Sequence, residues 1–227
     1  MSGLAAPIAT GGLMAFIASY VDTVGFIALF SLFTAHVTGN FVVIAATLVG
    51  GGQGVSTKLL AIPVFIGAVV FTQVVTLLMS ADCRRSAVAL VLAQAGLLVV
   101  FMSLGLFATP LRSPDAPLAM AAGLSGVFAM GLQNALARTP LFTVISPSTV
   151  MTGNVTQVAM DLVSLALVAP AGRPVLRSRL ARTGPSIIAF ALGAAAAAVA
   201  FSGLGFWSLI APILLLLLVA GLVSTPT

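Results

Sequence analysis

The acid–base inventory of this 227-residue chain is short: four aspartates, one histidine and no glutamate. Asp22 lies inside the apolar run 13–32, LMAFIASYVDTVGFIALFSL. A carboxylate at that depth costs roughly 2.5–3.5 kcal/mol on insertion scales. It must face a bundle interior, find a partner or carry a proton. Its chemistry would be that of a proton or cation coupling site, or of a counter-charge to a substrate. The plainer alternative is a buried structural hydrogen bond, with Asn134 as a candidate partner.

Two tripeptides form the second group: Thr38-Gly39-Asn40 and Thr152-Gly153-Asn154, 114 residues apart. Glycine permits positive φ and close backbone approach. Thr and Asn are helix-capping types, so helices are predicted to begin at 41 and 155. Such starts present N–H groups and the positive dipole end, which favour an anion or a carbonyl oxygen. Two of them at matching places would make a site between two halves; otherwise they are capped turns at a surface. Each is preceded by polar residues in an apolar helix. Asp22 lies 18 positions before Asn40, and Gln133 and Asn134 lie 21 and 20 before Asn154. This pattern reads as an internal duplication. Gln157 and Asp161 follow Asn154 at +3 and +7 on one helical face. Asp161 is expected to pair with Arg138. His36 titrates near neutral pH when unperturbed, but a lone His beside a helix start reads as a capping or interface residue. Gln73 and Gln94 read as interhelical hydrogen-bonding groups.

Enzyme chemistry is not expected. His36-x-x-x-Asn40 and Gly123-Leu124-Ser125-Gly126 resemble two pieces of the rhomboid intramembrane protease pattern. That chemistry needs a general-base histidine on a later helix, and none follows residue 36. Cys83 is the sole cysteine, so neither an intrachain disulfide nor a Cys/His metal site is predicted. No cofactor motif and no phosphate loop occurs; Gly51-Gly52-Gln53-Gly54 reads as a flexible turn. MSGLAAPIATGG carries no basic residue, so no cleavable signal peptide is expected.

The elements that must position these residues follow from composition. Sixty per cent of the residues are hydrophobic and only 6% are charged, against about 25% charged in soluble domains. The implied solvent is lipid, and the predicted class is an all-α polytopic transmembrane bundle in one membrane domain, 1–227. The net charge of +5 arises from eight Arg and one Lys against four Asp. These cations are scattered between apolar runs, which reads as topology signalling rather than nucleic-acid binding. The runs are 13–32, 41–50, 59–79, 86–108, 118–137, 141–169, 184–203 and 206–223, giving six to eight spans. The pseudo-repeats would cover 13–108 and 118–223. Gly193 with Ala194–Ala198 suits close helix packing, and Trp207 reads as an interfacial anchor.

Two topologies compete. Eight spans with parallel repeats place six cations inside and three outside. Six spans, with both Thr-Gly-Asn segments leaving on the side they came from, give inverted halves. They place Arg84, Arg85, Arg138, Arg173, Arg177, Arg179 and Arg182 inside and Lys58 and Arg112 outside, a 7:2 split. Charge favours the second; the apolar length of 155–169 favours the first. Both put the Arg173–Arg182 stretch, expected as a loop, in the cytoplasm.

Ser19-Tyr20-Val21-Asp22-x-x-Gly25 with Thr34-Ala35-His36-Val37-Thr38-Gly39-Asn40 resembles the first signature of the YoaK-type bacterial membrane proteins. Gly131-Leu132-Gln133-Asn134-Ala135 with Thr149-Val150-Met151-Thr152-Gly153-Asn154-Val155-Thr156-Gln157 resembles the second. The resemblance implies a polytopic bacterial membrane protein, of a group of unestablished function often regarded as permeases, and makes Asp22, Asn40, Gln133, Asn134 and Asn154 signature positions; the location expected for the chain is the inner membrane. The functional expectation is a small-solute permease, proton-coupled through Asp22. Asn40, Gln133, Asn134, Asn154 and Gln157 would contact solute, with helix breaks at Thr38, Gly39, Thr152 and Gly153. The alternative is a non-transporting scaffold or sensor. Beyond the lipid bilayer and a small solute, no partner is implied.

Overall fold

The computed structural model describes residues 2–139, 151–167 and 172–224. Among them there is no strand. The helices are α1 (Ser2–Ala28), α2 (Gly39–Gly50), α3 (Val55–Leu78), α4 (Cys83–Ala108), α5 (Pro117–Leu136), α6 (Met151–Leu167), α7 (Arg173–Leu204) and α8 (Ile210–Ser224). The chain is thus an all-helical membrane bundle. Apolar stretches long enough to cross a bilayer are 8–28, 55–78, 83–108, 117–136 and the helical run 173–224. That last run has 52 residues, about 78 Å if straight, more than twice the ~30 Å apolar layer. It bends at Gly205, where φ is +55°, a backbone region glycine adopts without a Cβ penalty. A 3-10 turn over Gly205–Leu209 then leads into α8.

Local sequence explains most other boundaries. Gly51 closes α2 in the left-handed conformation and Gly54 opens α3 at φ +84°. Asp82 caps α4 by accepting the Arg85 N–H at 2.9 Å. Pro117 opens α5, where its missing N–H costs nothing. α7 starts at Arg173 rather than near 184, so the arginine-rich stretch is not a loop: it is helical from its first residue. Helix starts at 41 and 155 are also corrected: α2 begins at Gly39, and the chain is already helical at Met151, so Thr152 and Gly153 lie within α6 rather than before it. The expected span 141–169 falls partly outside the described residues.

Close contacts fix the helix directions. Gly12 faces Ala189 and Gly193 receives Phe16 and Ser19, so α1 and α7 run parallel. Gly123 lies by Thr57 and Gly131 by Ala68, so α3 and α5 run parallel. Gln133 bonds the Met14 carbonyl while Gly123 meets Leu29, so α1 and α5 are antiparallel. Gln94 meets Gln133 and Phe101 meets Gly126, so α4 opposes α5. Gly105 packs on Phe206 while Val88 and Leu92 share a groove with Ser224, so α4 opposes α8. Hence α1, α4 and α7 point one way and α3, α5 and α8 the other.

One consequence decides between the two topologies. Because α1 and α3 are antiparallel, residues 29–54 return to the end they left. α5 and α7 are likewise antiparallel, and α6 runs from the cavity level of Met151 to the early turns of α7, where Asp161 meets Arg179. Neither α2 nor α6 crosses the bundle, which leaves six crossing helices.

α1 is the core element. Ile17, Ala18, Val21 and Val24 are fully buried, joined by Leu98, Phe101, Leu132 and Leu216. α2 and α6 are peripheral. In α2 only Asn40 and Ile44 are buried; in α6, only Met151, Asn154 and Asp161. Val42, Val49, Met160 and Leu167 face outward, as lipid-contacting residues do.

Candidate functional site

After α1 the chain reverses through Phe30 and Ser31, both non-glycine residues at positive φ (54° and 65°). It then descends into the bundle through residues 32–38. Asp22 organises this descent. Its Oδ1 accepts the N–H groups of Thr34 and Ala35, each at 2.7 Å, and the Thr34 hydroxyl at 3.2 Å. Its Oδ2 lies 2.7 Å from His36 Nδ1. These bonds offset the cost of burying the carboxylate. The expected link from Asp22 to Asn134 does not occur. Asn134 Nδ2 instead donates to the carbonyls of Met130 (3.2 Å) and Ala35 (3.4 Å).

Asn40 closes the same loop from its far end. Its Oδ1 accepts the Phe33 N–H and its Nδ2 donates to the Phe33 carbonyl, both at 2.9 Å. Gly39 leaves room for the Phe33 ring, which a Cβ there would meet at 2.8 Å. Thr38 makes no side-chain cap, and the N–H groups of Gly39, Asn40 and Phe41 bond back to His36, Val37 and Thr38. The start of α2 therefore offers none of these donors to an anion, contrary to the sequence expectation.

The two Thr-Gly-Asn segments come together. A cavity of about 320 Å³ is lined by His36, Thr38, Phe65, Asn134, Met151 and Thr152. Its depth follows from helix rise. Phe65 is ten residues, about 15 Å, into α3, and Met151 is ten residues, about 15 Å, before Asp161 in α6. Asp161 is bound to Arg179 in the early turns of α7. The cavity thus lies about half way along the bundle. His36 is the one titratable side chain among the described residues that line it. The Phe190 ring stands edge-on to the imidazole, with centroids 5.6 Å apart.

The remaining candidates sort by position. Gln133 is fully buried; its Nε2 donates to the Met14 carbonyl and its Oε1 accepts from Gln94 Nε2, both at 2.7 Å. It joins α1, α4 and α5, and Gln94 plays the interhelical role its sequence setting suggested. Asn154 is buried in α6, with Nδ2 3.8 Å from Met151 Sδ. Gln157 Nε2 donates to Asp161 Oδ1 at 2.8 Å. Asp161 pairs with Arg179, whose Nε donates to Oδ2 at 2.6 Å and whose Nη2 contacts Oδ1. Arg138 is thus corrected to Arg179: α6 packs on α7, an arrangement that spacing along the chain does not reveal. Ser125 Oγ donates to the Ala122 carbonyl of its own helix at 2.7 Å.

A family model fits residues 10–222, almost the whole chain. The chain belongs to the family described as "Protein of unknown function (DUF1275)". The YoaK-type resemblance is consistent with membership of DUF1275. No curated protein and no solved structure matches the chain. In this DUF1275 protein, the features that bear on function are the cavity and the residues around it. His36 is the residue that sequence reasoning undervalued. The available signal was its place between Asp22 and Asn40, within the segment that this acid and this amide hold at both ends.

Proposed function

We propose that this protein is a permease for a small polar solute, and that its role is transport rather than catalysis. The observation carrying the reading is the cavity half way along the bundle where the two Thr-Gly-Asn segments meet, a largely apolar space into whose wall His36, Thr38, Asn134 and Thr152 are set. A soluble substrate crossing a bilayer needs hydrogen-bonding groups at that depth, and transporters place them at the junction of internal repeats. The pattern of packed pairs supports two related halves. Exchanging α1 with α5, α2 with α6, α3 with α7 and α4 with α8 converts α1–α7, α1–α8 and α2–α3 into α5–α3, α5–α4 and α6–α7, and all of these pairs occur. The crossing directions of one half oppose those of the other, the relation of inverted repeats. The 7:2 distribution of cations supports a bacterial inner-membrane placement with the Arg173–Arg182 end in the cytoplasm.

In this reading His36, Thr38, Asn134 and Thr152 meet the solute. Asn40 and Gln133 hold the walls, and Asn154, Gln157 and Asp161 hold α6 against α7. Alternating access comes from the halves rocking about the cavity, with the thinly packed α2 and α6 as its movable flanks. Coupling to protons runs through Asp22 together with His36: the carboxylate orients the imidazole, and the ring takes up and releases the proton. The hydrogen bonds saturating Asp22 also favour a second reading, a non-transporting scaffold.

Metabolite pools compared between cells with and without the protein supply the solute, and uptake into proteoliposomes then tests it. Transport is expected to fall at least tenfold in Asn134→Ala and to lose its pH dependence in both His36→Gln and Asp22→Asn. No solute difference between the cells would overturn the permease reading in favour of the scaffold. Transport that keeps its pH dependence in both variants would remove the coupling role alone.

A further inference from the structure

Two grooves lie at the two ends of α4, one at each face of the bundle. They are similar in size and opposite in chemistry. One, of about 490 Å³, lies where α1, α4 and α7 end, lined by Ile27, Leu106, Leu111, Phe201, Leu204 and Phe206. No charged side chain lines it. The other, of about 520 Å³, lies where α4 begins and α8 ends. Its wall is Met79, Val88, Ala89 and Leu92, its mouth holds Arg84, Arg85 and Asp82, and Ser224 closes one side. Arg85 is committed to Asp82 at 3.1 Å. The Arg84 guanidinium has no hydrogen bond or ion pair among the described residues.

We propose that this second groove is a binding site for an anionic phospholipid, with the phosphate on Arg84 and an acyl chain along Val88 and Leu92. The dimensions fit. From Arg84 to Leu92 is eight residues, about 12 Å of helix rise, the depth from a headgroup into the chain region. Leu92 is 46% exposed, so the apolar wall opens towards lipid rather than into the core. An apolar groove alone would take any acyl chain, as the uncharged groove at the far face would. The unpaired guanidinium at the mouth makes this one selective for a negative headgroup. The same face carries Arg84 and Arg85 at the start of α4 and Arg173 and Arg177 at the start of α7, as expected where an anionic leaflet is met. The site is independent of the permease reading.

The test is native mass spectrometry of the full chain in detergent, with phosphatidylglycerol or phosphatidylcholine added. Phosphatidylglycerol is expected to stay bound at least fivefold more than phosphatidylcholine. Arg84→Gln should abolish that preference, and Leu92→Gln should lower retention of both lipids. Arg177→Gln, an equal loss of charge at the same face, should leave retention unchanged. Equal retention of the two lipids would overturn the proposal. So would the same loss in Arg177→Gln as in Arg84→Gln, or displacement of phosphatidylglycerol by an equal concentration of glycerol 3-phosphate, which has no acyl chain. Matching thermal unfolding of the variants and wild type confirms that folding is not what changed.

Discussion

Asn40 grips the backbone of Phe33 at both of its polar atoms, N–H and carbonyl, with two bonds of 2.9 Å. One side chain thereby does what a strand partner would do, seven residues upstream, in a part of the chain with no sheet. Asn40→Ala leaves a buried donor and a buried acceptor without partners, at about 1–3 kcal/mol each. The expected result is a drop of several degrees in the unfolding temperature in detergent and earlier proteolysis at residues 29–38. Asn40→Asp keeps the acceptor and loses the donor, so it should fall between Ala and wild type. An Asn40→Ala protein that unfolds with wild type would show that the clamp contributes nothing.

Gly193 is the place where α7 comes against α1. A Cβ there would collide with the Phe16 carbonyl and Ser19 Oγ. The carbonyl belongs to a helix backbone and cannot rotate aside. Gly193→Val should therefore separate the two helices and strongly reduce yield and thermal stability. Gly203 lies on the same helix with open space around it, so Gly203→Ala should be neutral or slightly stabilising through helix propensity. Thermal unfolding of both variants, measured side by side, checks the contrast; equal effects would refute the close-packing account.

The Asp161–Arg179 pair is lopsided: the aspartate side chain is 2% exposed and the arginine side chain 43%. Removing the partner of the buried member leaves a charge sealed from water, whereas an unpaired Arg179 reaches solvent or headgroups by extending its stem. Arg179→Gln is thus expected to loosen α6 more than Asp161→Asn does. The double variant should be no worse than Arg179→Gln alone. Hydrogen exchange along 151–167 reads this order directly, and the reverse order would contradict it.

Much of the fold was legible in apolar run lengths, because lipid imposes a minimum span on any crossing helix. The shortness of 41–50 left two topologies open, one of them with α2 not crossing, and the 7:2 distribution of cations favoured that one. Asp22 and the two Thr-Gly-Asn segments were legible for a related reason: polar groups are costly in apolar surroundings and stand out. Helix pairing was not legible. Arg179, rather than Arg138, holds Asp161 because α6 lies on α7, and local spacing carries no record of that neighbour. The ends of α7 and α1 were misjudged because Arg and small residues form helix well once a long apolar helix has nucleated it. The contacts of His36 with Asp22 and the cavity were not legible because they depend on the path of 32–38, an irregular descent with no periodicity to read.

The short reach of the Asp22 bonds has a consequence for assembly. Its partners are 12 to 14 residues downstream, whereas the helix that covers α1 most extensively, α7, begins at Arg173. During synthesis, α1 must wait in the bilayer for about 150 residues before that cover arrives. A bare carboxylate would be hard to hold there for that interval. Asp22 brings its own donors with it, from the backbone of the segment made immediately afterwards. Contacts so close in sequence close early and cheaply. The first wall of the cavity can therefore set as soon as residue 40 is in place, and the second half of the chain assembles against it.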